Sequence, residues 1–434
     1  MATRVGRVVH LNHAGASPSS AAVVHRMQKH LALERIVGGY AAKDLVNEEL
    51  QTVYNNAARL IHAASPSEIA LVESATVAWT KLFYAFAAHQ ERHKAGERII
   101  LVSQAEYAAN LVAVCQWART HEDWSVLMIP SAMNGETSTG TVDLEALATI
   151  LAGNHKVGGG ATVNPRSIAL VCVTHVPTNS GIVNNVDAIG QQIADFNAAL
   201  GDGNSVFYLA DTCQSVGQLE VNVQRMHCSG LVATGRKFLR GPRGTGFLYI
   251  PNEIADSIMP QHIDHYGVPV LGIPPLKSLQ SPLENVIQFA PRPGARRFEF
   301  WESNIAGRLG LGQALAEHLD LGQTKITEQI LERATFLLDR LQKIPKVKLH
   351  HQSKCGIVTF FVPGMESAIL ATRLQESVNS VSFEISTVPA TSTPLDTAQT
   401  GVPDLLRVSV SYTTSKDDME RFIQRLGNAI ATVS

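Results

Sequence analysis

Between residues 97 and 250 the chain repeats one pattern: short, nearly uninterrupted apolar runs rich in β-branched residues, separated by stretches with helical spacing. The runs are RIILVS (98–103), WSVLMIP (124–130), SIALVCVT (167–174), SVFYLAD (205–211), LVATG (231–235) and GTGFLYI (244–250). A strand wetted on one side alternates polar and apolar residues, so runs apolar on both sides belong to a mainly parallel sheet covered by helices on both faces. The stretch 185–200 sets Ile189, Ile193, Phe196 and Leu200 on one helical face, as an amphipathic crossover requires. The first large domain is therefore predicted to be α/β.

Eight of the 19 prolines fall in 251–293, which predicts a long irregular connection. Beyond it come a helical pattern at 326–343 (Ile330, Ala334, Leu337, Leu341), a strand CGIVTFFV (355–362), a helix near 366–377, and strands near 381–388 and at 405–412. A last helix shows Met419, Phe422, Leu426 and Ile430. Helices on one side of a small sheet predict a second, α+β domain.

With 36 Lys and Arg against 38 Asp and Glu, the net charge of −2 leaves no electrostatic footprint for nucleic acid or an anionic membrane. Cys115, Cys172, Cys213, Cys228 and Cys355 form no CxxC pair and are expected as reduced thiols. The N-terminus lacks a signal-peptide core, and no stretch approaches the ~18 apolar residues of a membrane span. A cytoplasmic protein acting on small molecules is expected.

Open α/β sheets bind ligands beyond the carboxyl ends of their strands. Four such ends here are chemically loaded: SQAEYAAN (103–110), THVPTNSG (174–181), ADTCQS (210–215) and TGRKFLRGPRGTG (234–246). In the last, Lys237 stands among Arg236, Arg240 and Arg243. Like-charge crowding lowers a lysine's proton affinity and frees its amine as a nucleophile, although on spacing alone the cluster also reads as a solvated basic loop. Asp211 closes its strand, where a carboxylate holds a protonated ring nitrogen or caps a turn. Ser74, Ala75 and Thr76 precede a helical pattern and offer amides and hydroxyls to a phosphate, or make an ordinary N-cap. A phosphate cradle, a strand-end aspartate and an activated lysine together describe one cofactor, pyridoxal 5'-phosphate.

In order along nearly the whole chain, LNHAG (11–15), ESAT (73–76), AEYAAN (105–110), THVPTNSG, ADTCQS, TGRK with GPRGTG, RFEFWESN (297–304) and LLRVSVSYTTSKDD (405–418) resemble the class V aminotransferases of pyridoxal-phosphate fold type I. That family includes cysteine desulfurases, C–S lyases and isopenicillin N epimerase-like proteins. The resemblance implies a mainly parallel seven-stranded sheet in a large domain (21–290), an N-terminal segment (1–20) packed near the active site, and a smaller α+β domain (291–434). It implies Lys237 as the lysine that carries the cofactor, Asp211 as partner of the pyridinium nitrogen, Gln214 as donor to the ring's phenolic oxygen, and Tyr107 against the ring's opposite face. Ala75 and Thr76 amides, with Thr234 and Arg236, would hold the phosphate. Arg407 resembles the arginine that grips a substrate α-carboxylate in a bidentate fork. Asn12 and Thr178 fall at substrate-binding positions.

Departures from the family are informative. Many relatives have histidine where Tyr107 and Arg236 stand; a tyrosine still stacks, and it also donates a proton. A cysteine desulfurase needs a nucleophilic cysteine on the loop before the arginine strand, yet 386–404 contain none. C–S cleavage by β-elimination, giving pyruvate and ammonia, is therefore the expected reaction, with transamination and epimerisation as alternatives that share the cofactor contacts. The tyrosine of AEYAAN and the GRKFLRGPRG segment look like those of ergothioneine-pathway C–S lyases, which split a hercynylcysteine sulfoxide. In RFEFWESN, Trp301 and Glu302 replace a small residue and a threonine that in relatives reaches the neighbouring subunit's phosphate. Glu302 is expected to meet Arg236 or a cationic substrate, or to form a structural salt bridge. A homodimer is expected, with 251–293 and RFEFWESN offering interface surface.

Other chemistries lack support. HQERH (89–93) misplaces its glutamate for a zinc hydrolase, so no metal site is expected there, and His262 and His265 read as pocket or interface residues. No GxSxG elbow, P-loop or strand-following GxGxxG occurs. A scaffold that had lost catalysis would have no physical reason to retain Lys237, Asp211 and Arg407 together.

Overall fold

The computed structural model describes residues 6–155, 162–201, 205–272 and 287–431. Its centre is a sheet of seven strands: β1 (Ile69–Val72), β2 (Arg98–Ser103), β3 (Trp124–Ile129), β4 (Ile168–Thr174), β5 (Phe207–Asp211), β6 (Gly230–Thr234) and β7 (Gly246–Tyr249), in the order β1-β7-β6-β5-β4-β2-β3. Neighbours pair in parallel except β7, which runs against both β6 and β1. All six expected runs are strands, and Ile69–Val72, just before ESAT, is the seventh. Every residue of β1, β2 and β4 to β7 is buried, and only the edge strand β3 has wetted positions. Successive side chains point to opposite faces. Leu71, Leu101, Val171 and Leu231 thus join one apolar cluster, while Ala70, Val102, Leu170 and Val232 join the other.

Helix α1 (Ala75–His93) follows β1, α2 (Ala108–Thr120) follows β2 and α3 (Val186–Leu200) follows β4. As expected, α3 buries Ile189 and Ile193. Six strands share one direction, so the segments that leave β1, β2, β4, β5 and β6 gather at one edge of the sheet.

The smaller unit is a four-stranded sheet, Lys348–Leu349, Ile357–Phe361, Leu405–Ser409 and Ser386–Val388 in spatial order, packed on helices Gln323–Gln342, Ser367–Gln375 and Lys416–Ala431. Its core takes Leu337, Phe360, Val408 and the last helix's Met419, Phe422, Leu426 and Ile430. It also takes Val9 and Leu11, because Arg7–His10 pairs in parallel with Val381–Glu384. Ala295, Phe298, Leu311 and Leu315 pack with the large sheet, although they follow residue 290. The proline-rich stretch is not wholly irregular: Asn252–Ser257 is helical and Val270–Gly272 pairs with Gln288–Phe289. Its Pro274, Pro275 and Pro282 lie outside the described residues. Among the described residues all five cysteines are free, and no helix is long and apolar enough to cross a membrane.

Candidate active site

The gathered strand ends and the strand carrying Arg407 enclose a cavity of about 180 Å³. Every expected site residue lines it except Asn12. Asn12 begins a tight turn, its carbonyl accepting the amides of Gly15 and Ala16 at 3.0 Å, and its side chain donates to Glu384 at 3.0 Å. That turn faces Asn12 toward the smaller unit and delivers Ala14 and Gly15 to the cavity instead.

At one end lies the start of α1. Ser74 is the N-cap and its Oγ accepts the amide of Val77 at 3.2 Å. The first amides of a helix have no carbonyl one turn earlier to bond, so those of Ala75 and Thr76 are left for an anion, at the positive end of the helix dipole. Thr234 closes β6 beside them, and Gly235 follows because a β-carbon there would stand 2.3 Å from the Thr245 hydroxyl. The Arg236 guanidinium donates to the Gly15 carbonyl, and the Arg236 carbonyl accepts the Ser17 amide at 2.8 Å. Arg236 thereby clips the N-terminal segment to the lysine loop.

Lys237 is buried, and burial is the main reason its amine holds a proton less tightly than an ordinary lysine; Arg236 and Arg407 add to this, while a hydrogen bond with the Cys213 thiol opposes it. The expected crowding by Arg240 and Arg243 is not what acts. Arg240 turns away to the Pro18 carbonyl (3.2 Å) and the Tyr412 hydroxyl (3.0 Å), and Arg243 is exposed.

Opposite, Asp211 accepts from the Cys213 amide (2.8 Å) and from Asn110 Nδ2 (3.0 Å). Gln214 Nε2 donates to the Ala14 carbonyl at 3.2 Å, and its Oε1 is buried with no partner among the described residues. Arg407 is held by Thr178, with Nη1 to Oγ1 at 2.6 Å, and by Ser386, with Nε to Oγ at 3.1 Å. Among the described residues its Nη2 makes no hydrogen bond, and the side chain lines the cavity, so that edge is open to a ligand. Burial, then Arg236, lowers its pKa to about 10, so it remains a cation at neutral pH. Tyr107, the N-cap of α2, lines the cavity yet is 40% exposed, at its mouth. A buried amine that holds its proton weakly, a carboxylate, two helix-start amides and an unpaired amide oxygen in one small cavity fit the cofactor that the motifs imply.

Asn110, Cys213 and Thr174 also line the cavity. All lie inside the motif strings AEYAAN, ADTCQS and THVPTNSG, which were the available signal, but their roles depend on cross-strand neighbours. Glu302 does not behave as expected: it is exposed, and among the described residues it meets neither Arg236 nor any ion-pair partner. Its neighbour Trp301 joins an outer aromatic patch with Tyr40, His265 and Tyr266, and the Lys43 ammonium lies 5.0 Å from its ring centroid. His89 and His93 lie at the far end of α1, ring centroids 4.3 Å apart.

The profile of the family described as Aminotransferase class-V matches residues 9–422, and the chain belongs to that family. A probable cysteine desulfurase of Synechocystis sp. is 25% identical over 85% of this chain and 79% of its own length. A cysteine desulfurase of Yersinia pestis is 25% identical over 96% of this chain and 92% of its own. Among solved structures, the cysteine desulfurase CsdA of Escherichia coli superposes with a TM-score of 0.79 at 19% identity, covering 99% of this chain and 95% of that one. The cystine C–S lyase C-DES, solved with its product cysteine persulfide, gives 0.74 at 19% identity, covering 96% and 97%.

Proposed function

We propose that the protein is a pyridoxal 5'-phosphate enzyme that cleaves a C–S bond in a cysteine-derived amino acid by β-elimination, releasing a sulfur product, pyruvate and ammonia. The observation that carries this reading is the segment before the arginine strand, 386–404, which reaches the site through the hydrogen bond from Arg407 to Ser386. It contains no cysteine, and it is fastened to the large domain through buried Asp396, which accepts from Gln104 Nε2 at 3.0 Å and Asn179 Nδ2 at 2.8 Å. Among the described residues Cys213 is the cavity's one thiol. It sits on the floor beside Lys237, and burial pushes its pKa up, which disfavours the thiolate that would receive sulfur.

When bound, pyridoxal phosphate supplies an aldehyde that captures amino groups and a ring that stores electrons released at the substrate's α-carbon. Lys237, whose buried amine holds its proton less tightly than an ordinary lysine, would hold the cofactor at its aldehyde and would serve as the base for the α-proton at Nζ. Arg407 holds the α-carboxylate through its free edge, oriented by Thr178 and Ser386. The Tyr107 phenol, at the cavity mouth, protonates the departing sulfur. Water then completes the balance, converting the remaining three-carbon fragment to pyruvate and ammonium.

The likeness to cysteine desulfurases and to a cystine C–S lyase supports a sulfur amino acid as substrate, and we infer cysteine S-conjugates, hercynylcysteine sulfoxide among them. Incubation of the purified protein with these, with cysteine and with cystine tests the reading: pyruvate should form in step with released sulfur product. Alanine plus an enzyme persulfide from free cysteine would overturn it in favour of desulfuration, and amino transfer to an added oxo acid would favour a transaminase.

We also propose a homodimer. Leu31, Ile36, Tyr40, Leu45 and Trp301 are all exposed, Ile36 and Tyr40 by more than 70%, and the Tyr40 ring meets that of Trp301, apolar surface that a second copy of the chain would cover. Light scattering should give twice the chain mass; an active monomer would refute it.

A further inference from the structure

Behind Asp211, on the side away from the cavity, lies a second carboxylate that the chemistry above leaves without a task. Glu106 is fully buried and lines no part of the cavity. Four groups donate to it: Ser103 Oγ at 2.9 Å on Oε2, and Thr174 Oγ1 at 2.6 Å, Asn110 Nδ2 at 2.7 Å and the Tyr107 amide at 3.3 Å on Oε1. The same Asn110 nitrogen donates to Asp211 Oδ2 at 3.0 Å. One amide thus ties two buried carboxylates together, with the oxygens it joins within about 6 Å of each other.

Two negative charges this close in a dry site need a cation, or one of them takes a proton. Burial and then Asp211 do push Glu106 toward the protonated form, while its donors resist. The other titratable groups around the pair supply no compensation from behind. Cys172 and Tyr208 are kept protonated by burial, and His175 is held neutral. Cys213 and Lys237 lie on the cavity side. The compensating positive charge therefore belongs in the cavity, in front of Asp211.

We propose that Glu106 is a positioning residue that acts through Asn110: it aims Asp211 at the cavity and sets a second negative charge behind it, so that the ring nitrogen of bound pyridoxal phosphate keeps its proton into alkaline pH. This rests on the cofactor reading above. A purely structural Glu106, tying the turn between β2 and α2, would affect folding and cofactor affinity but not the ring nitrogen.

The test is ¹⁵N NMR of the protein loaded with ring-labelled pyridoxal phosphate, titrated from pH 6 to 10. A unit charge at about 10 Å, acting through an effective dielectric near 20, moves a pKa by about one unit. Glu106→Gln should lower the apparent pKa of the ring nitrogen by about that much, and Glu106→Asp, which keeps the charge, should restore most of it. A folded, loaded Glu106→Gln protein whose ring nitrogen titrates as in the unaltered protein overturns the proposal. Should that variant not fold, Ser103→Ala removes one donor from the same carboxylate outside the cavity. It should shift the titration in the same direction by a few tenths of a unit, and no shift there overturns the proposal equally. If the unaltered protein takes up no pyridoxal phosphate, the cofactor reading itself has failed.

Discussion

The floor of the cavity and the outer segment 386–404, which meets Arg407 through Ser386, are built in opposite ways. On the floor the reactive groups stand at or next to strand ends: Asp211 is the last residue of β5, Thr234 the last of β6, and Lys237 follows three residues on. Ladders on both sides fix these positions before any side chain is chosen. The segment 386–404 has one short strand, a 3₁₀ turn and the seven-residue helix Pro394–Thr400. Side chains hold it in place: Asp396 takes Gln104 and Asn179, and Asp404 takes the Ala390 amide at 2.7 Å. Groups that every reaction of the cofactor needs sit on the rigid part. The segment proposed to decide where sulfur goes lies largely at the surface, where it can change without disturbing the sheet.

If that division holds, a floor substitution abolishes every reaction. The largest loss is expected for Lys237→Ala, which removes both the amine that captures the aldehyde and the base at the α-carbon; turnover should fall about 10⁴-fold or more. Borohydride reduction followed by peptide mapping should place the pyridoxyl label on Lys237, and a label on another lysine would break the assignment. At the cavity mouth, Tyr107→Phe keeps the ring and removes the proton. It should retain bound cofactor while pyruvate formation slows by roughly 10²–10⁴. A near-normal rate would show that Tyr107 only stacks.

The same division explains what could be read from the chain. The sheet was legible because β2 and β4 to β7 are apolar on both faces, a pattern few other structures produce. Strand β1 was not, because IALV runs straight into the ESAT cap and is too short to separate from the helical pattern after it. Floor residues were legible because strand direction puts motifs at one edge. The basic loop misled in part: four cations in sequence suggested mutual crowding, whereas burial first, then Arg236 from the loop and Arg407, 170 residues away, depress Lys237, and Arg240 and Arg243 play no part. Asn12 was displaced by a turn that its motif does not encode in spacing. Glu106, Asn110 and Cys213 were visible as letters inside motifs, but their tasks arise from contacts between strands.

Acid should find the floor's weak point. His175 follows β4, donates its amide to the Asp211 carbonyl at 2.9 Å, and has its ring so buried that its pKa falls to about 4. In the unfolded chain it titrates near 6.5, so below that pH the unfolded state binds a proton that the native state refuses. Stability is then lost as pH falls from about 6.5 to about 4, by up to about 3 kcal/mol for this one group. Urea unfolding at pH 7.5 and pH 4.5 should show His175→Gln losing about 2–3 kcal/mol less across that interval than the unaltered protein. Equal losses would mean the floor tolerates a charged imidazole.

The smallest effect is expected where a persulfide mechanism would demand the largest. Cys213 is the thiol beside Lys237, flanked in sequence by the floor residues Asp211 and Gln214, and its removal costs one hydrogen bond to an amine. A neutral hydrogen bond of about 1 kcal/mol corresponds to a change of only a few-fold. Cys213→Ala should therefore turn over a cysteine S-conjugate within about fivefold of the normal rate. Losing that bond also removes an influence that favours the protonated lysine, so the alkaline amine form of Lys237 should be reached at slightly lower pH, and the acidic limb of the rate profile should shift the same way. A protein lacking all five cysteines, if folded and loaded with cofactor, should likewise keep C–S cleavage. Abolished turnover in either variant would place sulfur on an enzyme thiol, and it would move the choice of reaction from the segment 386–404 to the cavity floor.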